Sequence, residues 1–137
     1  MFESVSVLCG FLMKSKRSPA TIAVVDDDES IRMAISNLLR SANWHAIVYE
    51  SANHLLVDAS RSQPNLVIAD IHMPGMDGFA LLESIKLWQR PSPVIFITAY
   101  ATQQLLEKAQ ASRAAGFFSK PVDGVRLLAL IGEILQT

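Results

Sequence analysis

The chain has 137 residues, of which 50% are hydrophobic and 18% are charged, and its formal net charge is −1 at pH 7. These totals predict one globular domain that folds without disulfide or metal cross-links. They exclude the broad basic surface of a nucleic-acid-binding domain, so we expect no direct nucleic-acid contact. The single cysteine, Cys9, excludes an internal disulfide framework and a cysteine-based zinc site, and it fits a cytoplasmic location.

The N-terminal segment, residues 1–19, contains a short apolar run at residues 5–13. Neither this run nor any other approaches the roughly 18 continuous apolar residues of a membrane span. Glu3 precedes the run and three basic residues follow it, which is the reverse of the order in a secretory signal. We interpret residues 1–19 as a tail or a misassigned start, with Met13 as a candidate start. The alternative is a small docking or membrane-touching segment.

From residue 20 onward, five apolar runs alternate with segments of helical periodicity. The predicted strands are residues 21–25, 45–49, 66–69, 94–98 and 117–119. Because the strands are apolar almost throughout, both faces of the sheet should be covered by helices. The pattern predicts an α/β fold with a doubly wound, five-stranded parallel sheet. We expect one domain, residues 20–137, with no second domain after the fifth helix.

Capping residues predict where the helices begin and end. The predicted N-caps of the second, third and fifth helices are Ser51, Asp77 and Asp123. Asn43 with Trp44 closes the first helix, and the third is expected to reach Trp88 before prolines end it. Gly116 is predicted to terminate the fourth helix.

Polar residues follow four of the strands at the edge where the carboxyl ends of parallel strands meet. Asp26 and Asp27 follow the first strand, Asp70 the third, Thr98 the fourth and Lys120 the fifth. Taken singly, each has a structural explanation: a turn or cap carboxylate, a β-forming threonine, a solvated lysine. Together they indicate a site, because two carboxylates about 4 Å apart repel by roughly 4 kcal/mol at an effective dielectric near 20.

A divalent cation would balance the charge of these carboxylates, and an all-oxygen site suits Mg²⁺ or Mn²⁺. The cation and Lys120 could neutralise phosphoryl oxygens, and the Thr98 hydroxyl could donate a hydrogen bond to one of them. A carboxylate in this setting can act as a nucleophile and form an aspartyl-phosphate.

Four segments in this order resemble the response-regulator receiver domain of two-component signalling, the CheY-like superfamily. They are residues 24–28, 70–78, 97–99 and 118–121, and the resemblance covers residues 20–137. In style the chain is most similar to receivers that precede helix-turn-helix output domains. The resemblance implies a flavodoxin-like (βα)5 fold with strand order 2-1-3-4-5.

The resemblance also implies a phosphorylation site and a metal site. Asp70 would be the phosphoacceptor. Asp27, Asp70 and the backbone carbonyl of His72 would bind Mg²⁺, with Asp26 acting largely through water. Lys120 would pair with the phosphoryl group through its ammonium, and the Lys120–Pro121 peptide bond is commonly cis in relatives.

The switch residues implied by the resemblance are Thr98 and Phe117. Ala99 fits the small residue that the family keeps beside the switch threonine. Phe117 has no hydroxyl, so an inward rotation would be driven by packing. His72 and Tyr100 occupy positions that tune phosphoryl lifetime in relatives.

The implied function is a phosphorylation-dependent switch, with a histidine kinase or phosphotransfer protein as phosphodonor. The fourth helix, fifth strand and fifth helix would present the altered surface to a downstream protein or to a second copy. The expected chemistry is limited to self-phosphorylation and slow self-dephosphorylation, so the chain is not expected to be an enzyme. We favour a stand-alone receiver over the regulatory piece of a larger DNA-binding regulator.

Two other functions fit these residues less well than a receiver does. A phosphatase of the haloacid-dehalogenase type places a second Asp two residues after its nucleophile, where this chain has His72. A receiver that binds partners without being phosphorylated would not require the intact Asp27, Asp70, Thr98 and Lys120.

Overall fold

The computed structural model describes residues 19–136, in which five strands and five helices alternate. The strands are β1 (Thr21–Val25), β2 (His45–Tyr49), β3 (Leu66–Asp70), β4 (Val94–Thr98) and β5 (Gly116–Ser119). The helices are α1 (Glu29–Ser41), α2 (Ala52–Ala59), α3 (Gly78–Lys86), α4 (Gln103–Ala111) and α5 (Gly124–Leu135). The predictions for Cys9, Met13 and the rest of residues 1–18 lie outside the described residues.

The strands form one parallel sheet in the order β2-β1-β3-β4-β5, which confirms the predicted flavodoxin-like topology. β3 and β4 are buried along their whole length. The register pairs Val25 with Ala69 and Asp70 with Ile97, so the ends of β1, β3 and β4 are neighbours at one edge. No helix among residues 19–136 has the length and apolar character needed to cross a bilayer.

Each face of the sheet has its own apolar layer. Alternate residues of β1 divide between the layers, with Ala23 and Val25 in one and Ile22 and Val24 in the other. α2, α3 and α4 cover the first layer, and α1 and α5 cover the second. This double cover explains why the strands are apolar at consecutive positions.

The helices differ in how firmly they are anchored. α3 buries five residues of its nine, whereas α4, of equal length, buries only Ala109. A cation–π contact also attaches α4 to α3, since Lys108 Nζ lies 4.3 Å from the centre of the Phe79 ring. The attachment of α4 therefore depends on half-buried and exposed side chains.

The predicted N-caps are confirmed. Ser51, Asp77 and Asp123 accept hydrogen bonds from backbone N–H groups in the first turns of their helices. Asp28 caps α1 in the same way, through the N–H groups of Ser30 and Ile31. At the other end of α1, Asn43 has a φ of 69°, which fits its predicted role in closing the helix.

Two predicted helix ends are wrong. α4 ends at Ala111, and Arg113 with a φ of 63° takes the left-handed position that was expected of Gly116. Gly116 instead begins β5, where a Cβ atom would lie 2.5 Å from a methyl group of Leu130, so a larger residue would require the Leu130 side chain to shift. α3 ends at Lys86, and Trp88 lies beyond it in a turn closed by a 2.9 Å bond to the Ile85 carbonyl.

Candidate functional site

The structure brings three carboxylates together at the carboxyl edge of the sheet. Asp26 and Asp27 follow β1, and Asp70 is the last residue of the adjacent β3. Each contributes an oxygen that lies within 4.8 Å of the others. Asp26 is 0% exposed and Asp70 is 5% exposed, whereas Asp27 faces solvent. The cluster is therefore a pocket in which two carboxylates are buried and one is accessible to solvent.

Lys120 reaches into this pocket from the end of β5. Its ammonium lies 2.9 Å from Asp26 Oδ2 and 3.6 Å from Asp70 Oδ2. Its backbone N–H donates to the Thr98 carbonyl at 2.8 Å, and its peptide bond to Pro121 is cis, as the resemblance implied. Burial alone would lower the pKa of Lys120, but its contacts with Asp26 and Asp70 outweigh burial and raise it.

The carboxylates keep an unbalanced negative charge. Three carboxylates against one ammonium leave two negative charges in the cluster. Burial raises the pKa of Asp70, and the charge of Asp26 raises it further, while Lys120 and the His72 N–H act in the opposite direction. The pocket therefore has room for more positive charge.

The oxygens present fit a small divalent cation. Asp26 Oδ2 is buried, and among the described residues its polar contact is the 2.9 Å ion pair with the Lys120 ammonium. Three carboxylates whose oxygens lie within 4.8 Å of one another, with one ammonium to balance them, suit a hard cation such as Mg²⁺.

Thr98 and Tyr100 lie on the β4 side of the pocket. Thr98 is 0% exposed, and its hydroxyl oxygen accepts a 3.1 Å hydrogen bond from the Tyr100 backbone N–H. Since the oxygen is the acceptor in this bond, the hydroxyl proton remains available for another partner.

His72 lies at the mouth of the pocket, directly after β3. Its backbone N–H donates to Asp70 Oδ1 at 3.4 Å, and its exposed ring meets Tyr100 edge to face with centroids 5.8 Å apart. The two rings therefore join the loop after β3 to the loop after β4.

Phe117 is not part of the carboxylate cluster. It is half-buried on β5, in register with Phe96, and packs against the first apolar layer. It also lines a surface cavity of about 360 Å³ between β5 and α5. The lining residues are Phe117, Phe118, Arg126, Ala129, Leu130 and Glu133.

Sequence reasoning missed one contact of the pocket. Arg32, in the first turn of α1, donates from Nη1 to the backbone carbonyl of Asp26 at 2.7 Å. The available signal was a cation near the positive end of a helix, where it is disfavoured unless another interaction holds it.

The fold and this pocket define a signalling domain, and comparison with known proteins gives its family. The family model for the response regulator receiver domain matches residues 22–132. The chain therefore belongs to the response-regulator receiver family, as the sequence motifs predicted. Receivers of this family generally bind Mg²⁺ at an acidic pocket, and the aspartate cluster is a pocket of this kind.

Individual proteins with similar sequences support the same family assignment. The DNA-binding transcriptional regulator NtrC of Klebsiella pneumoniae is 36% identical over 113 residues, which are 82% of this chain and 24% of NtrC. The transcriptional regulatory protein FixJ of Bradyrhizobium diazoefficiens is 33% identical over 115 residues, 84% of this chain and 56% of FixJ. The chain thus spans about a quarter of NtrC and just over half of FixJ.

A solved structure supports the same fold. The response regulator receiver protein from Burkholderia phymatum superposes with a TM-score of 0.75 at 34% identity. The match covers 85% of this chain and 95% of that one. Nearly the whole of that receiver therefore corresponds to the part of this chain that carries the sheet.

Proposed function

We propose that this chain is a cytoplasmic phosphorylation switch in which Asp70 accepts a phosphoryl group from a histidine kinase or phosphotransfer protein. The observation that carries the proposal is the position of Asp70. It ends a buried strand inside an acidic cluster, with an ammonium group 3.6 Å from Oδ2. A carboxylate so placed is a nucleophile whose phosphorylated product has positive charge beside it.

Asp27, Asp70 and the backbone carbonyl of His72 are the proposed Mg²⁺ ligands, and Asp26 acts through water. Mg²⁺, when bound, neutralises charge on the phosphoryl oxygens. The closeness of the three carboxylates and the two negative charges left in the cluster support this assignment.

In the proposed reaction an Asp70 oxygen attacks the phosphorus atom of phosphohistidine. A phosphorus–oxygen bond forms, the phosphorus–nitrogen bond breaks, and its electron pair stays with the imidazole nitrogen. Lys120 faces the new charge, and the Thr98 hydroxyl can donate a hydrogen bond to a phosphoryl oxygen. Slow hydrolysis of the same acyl phosphate returns the chain to its starting state.

The proposed output surface consists of α4, β5 and α5. Phe117 and Phe118 are half-buried on the edge strand β5 and line the cavity against α5. Movement of Thr98 toward a phosphoryl group frees space that Phe117 can fill by packing, which biases an existing two-state equilibrium. A downstream protein or a second copy of the chain would bind the altered surface.

A larger regulator is the second candidate. Both curated relatives named above are described as transcriptional regulators, and the chain matches only part of each. We propose residues 20–137 as the receiver unit in either case, with any DNA contact made by another domain or chain.

Intact-mass measurement tests the phosphoacceptor. Incubated with Mg²⁺ and acetyl phosphate, the wild-type chain should gain the mass of one phosphoryl group, and Asp70→Asn should gain none. Asp77→Asn is the matched control, because it removes a carboxylate from the loop after β3 while asparagine still caps α3. Equal labelling of wild type and Asp70→Asn, or no labelling of wild type, would overturn the proposal.

A further inference from the structure

We propose that Arg32 is the positioning residue of the acidic pocket. Its guanidinium holds the peptide between Asp26 and Asp27 so that the Asp27 carboxylate stays beside Asp70 and the pocket can bind a divalent cation. This inference rests on the proposed function, since it assigns a role toward the same metal site.

Asp26 is held at four points, and Arg32 supplies one of them. Its backbone N–H donates to the Tyr49 carbonyl at 3.1 Å, and its Oδ1 accepts from the Asp28 N–H at 2.9 Å. Its Oδ2 lies 2.9 Å from the Lys120 ammonium. Its carbonyl oxygen accepts the 2.7 Å bond from Arg32, which is the only one of these contacts that fixes the peptide leading to Asp27.

Asp27 depends on its backbone for its position. Among the described residues its carboxylate has no hydrogen bond and no ion pair, and its side chain faces solvent. Two neighbouring carboxylates repel it, so the direction of its Cα–Cβ bond, which the backbone sets, decides how close its oxygens lie to the cluster. The restraint comes from both sides: Arg32 holds the carbonyl before Asp27, and Asp26 Oδ1 holds the N–H after it.

The position of Arg32 in α1 is unfavourable for a cation. The N-terminus of a helix carries partial positive charge, which favours acidic residues such as Glu29 and disfavours arginine. No ion pair joins Arg32 to a carboxylate among the described residues, so the bond to the Asp26 carbonyl is what holds its side chain. Arg32 therefore acts on the pocket through the backbone.

Arg40 offers a matched comparison on the same helix. Its guanidinium also donates to a backbone carbonyl, that of Ala46 at 3.2 Å, and the partner is likewise six residues away. Arg40 lies in the last turn of α1, and Ala46 lies at the start of β2, at the end of the sheet opposite the pocket. A general effect of losing an arginine from α1 should thus appear equally in both positions.

The experiment measures Mg²⁺ binding by titration calorimetry for wild type, Arg32→Gln, Arg32→Lys and Arg40→Gln. We expect Arg32→Gln to raise the Mg²⁺ dissociation constant about tenfold, the size of effect typical when a group supporting a metal ligand is lost. Arg40→Gln should match wild type. Arg32→Lys keeps one donor and should recover part of the loss, and it also serves if Arg32→Gln does not fold.

A second readout needs no metal. In Mg²⁺-free protein, the Asp28 amide should exchange its hydrogen faster in Arg32→Gln than in wild type or Arg40→Gln, because the turn that protects it is loosened. Equal Mg²⁺ affinity in wild type and Arg32→Gln, or equal losses in Arg32→Gln and Arg40→Gln, would overturn the inference. If wild type binds no Mg²⁺, the proposed metal site fails by itself, and the exchange rates alone decide the role of Arg32.

Discussion

At the scale of single residues, Asp70 destabilises the fold when it is ionised. Burial and the charge of Asp26 raise the pKa of Asp70 in the folded chain, so the folded state binds the proton more tightly than the unfolded state does. The stability linked to this group is complete below its ordinary pKa of 3.8 and is lost as pH rises through the raised value. At neutral pH the ionised Asp70 therefore lowers the free energy of unfolding.

Asp70→Asn should stabilise the chain in the absence of Mg²⁺. Replacing the carboxylate removes the repulsion from Asp26, and we expect the melting temperature to rise by a few degrees at neutral pH. The difference from wild type should shrink as pH falls toward 3.8, because wild-type Asp70 is then protonated too. Thermal unfolding across this pH range, with a chelator present, measures both effects.

The control for Asp70→Asn is Asp77→Asn, whose carboxylate is exposed and caps α3. It should leave the melting temperature nearly unchanged, because asparagine caps a helix about as well as aspartate. An Asp70→Asn variant less stable than wild type at neutral pH would contradict the electrostatic account.

At the scale of elements, Gly78 determines how closely α3 approaches the end of β3, where Asp70 lies. A Cβ atom at Gly78 would lie 2.8 Å from the Asp70 carbonyl oxygen and 2.9 Å from Ile71 Cα. Both are backbone atoms, which cannot swing aside as a side chain can. The Gly78 N–H also donates to the Ile71 carbonyl at 2.9 Å, so the start of α3 is tied to the end of β3.

Gly78→Ala should therefore destabilise the chain by about 1–3 kcal/mol, the usual cost of overpacking. It should also slow labelling by acetyl phosphate, because the relief of the clash displaces Asp70. Gly132→Ala is the opposing control: nothing lies within 4 Å of a Cβ there, in the last turn of α5. It should stabilise the chain by about 0.5–1 kcal/mol through helix propensity.

Denaturant unfolding and labelling kinetics of the two glycine variants check this prediction. The account of Gly78 is wrong if both alanine variants stabilise the chain, or if Gly78→Ala labels at the wild-type rate.

The sequence predicted the elements better than their ends, for physical reasons. Strands covered on both faces must be apolar at consecutive positions, and parallel strands must end at one edge, so the meeting of Asp26, Asp27, Asp70 and Lys120 could be predicted from order alone. The prediction for Gly116 is wrong because glycine after a helical pattern usually marks the helix end. Here Gly116 instead packs beside Leu130 of α5, a contact that depends on the folded structure.

The role of Arg32 could not be predicted for a related reason. A hydrogen bond from a side chain to a backbone carbonyl leaves no pattern of residue types, because every residue offers the same acceptor. The contact between Arg32 and the Asp26 carbonyl can be identified only from the three-dimensional structure of the turn between β1 and α1.

At the scale of the whole molecule, Mg²⁺ should act as a stabilising ligand. Binding to the folded chain alone adds about 1.4 kcal/mol of stability when free Mg²⁺ is ten times its dissociation constant. Wild type should therefore melt at a higher temperature as Mg²⁺ is added, and the shift should reverse with chelator.

The Mg²⁺-dependent shift should be smaller in Asp70→Asn, which lacks one of the three clustered carboxylates. Melting curves of both proteins over a Mg²⁺ series measure the difference. Identical shifts in the two proteins would place the stabilising ion outside the acidic pocket.

The weak anchoring of α4 has a consequence for the energy of signalling. With Ala109 as its one buried residue, α4 contributes little to the buried part of the first apolar layer and nothing to that of the second. Local opening of such an element requires far less free energy than global unfolding. Under the proposed function, a phosphoryl group on Asp70 would need to supply only the difference in free energy between two positions of α4, while the sheet around Asp70 keeps its structure.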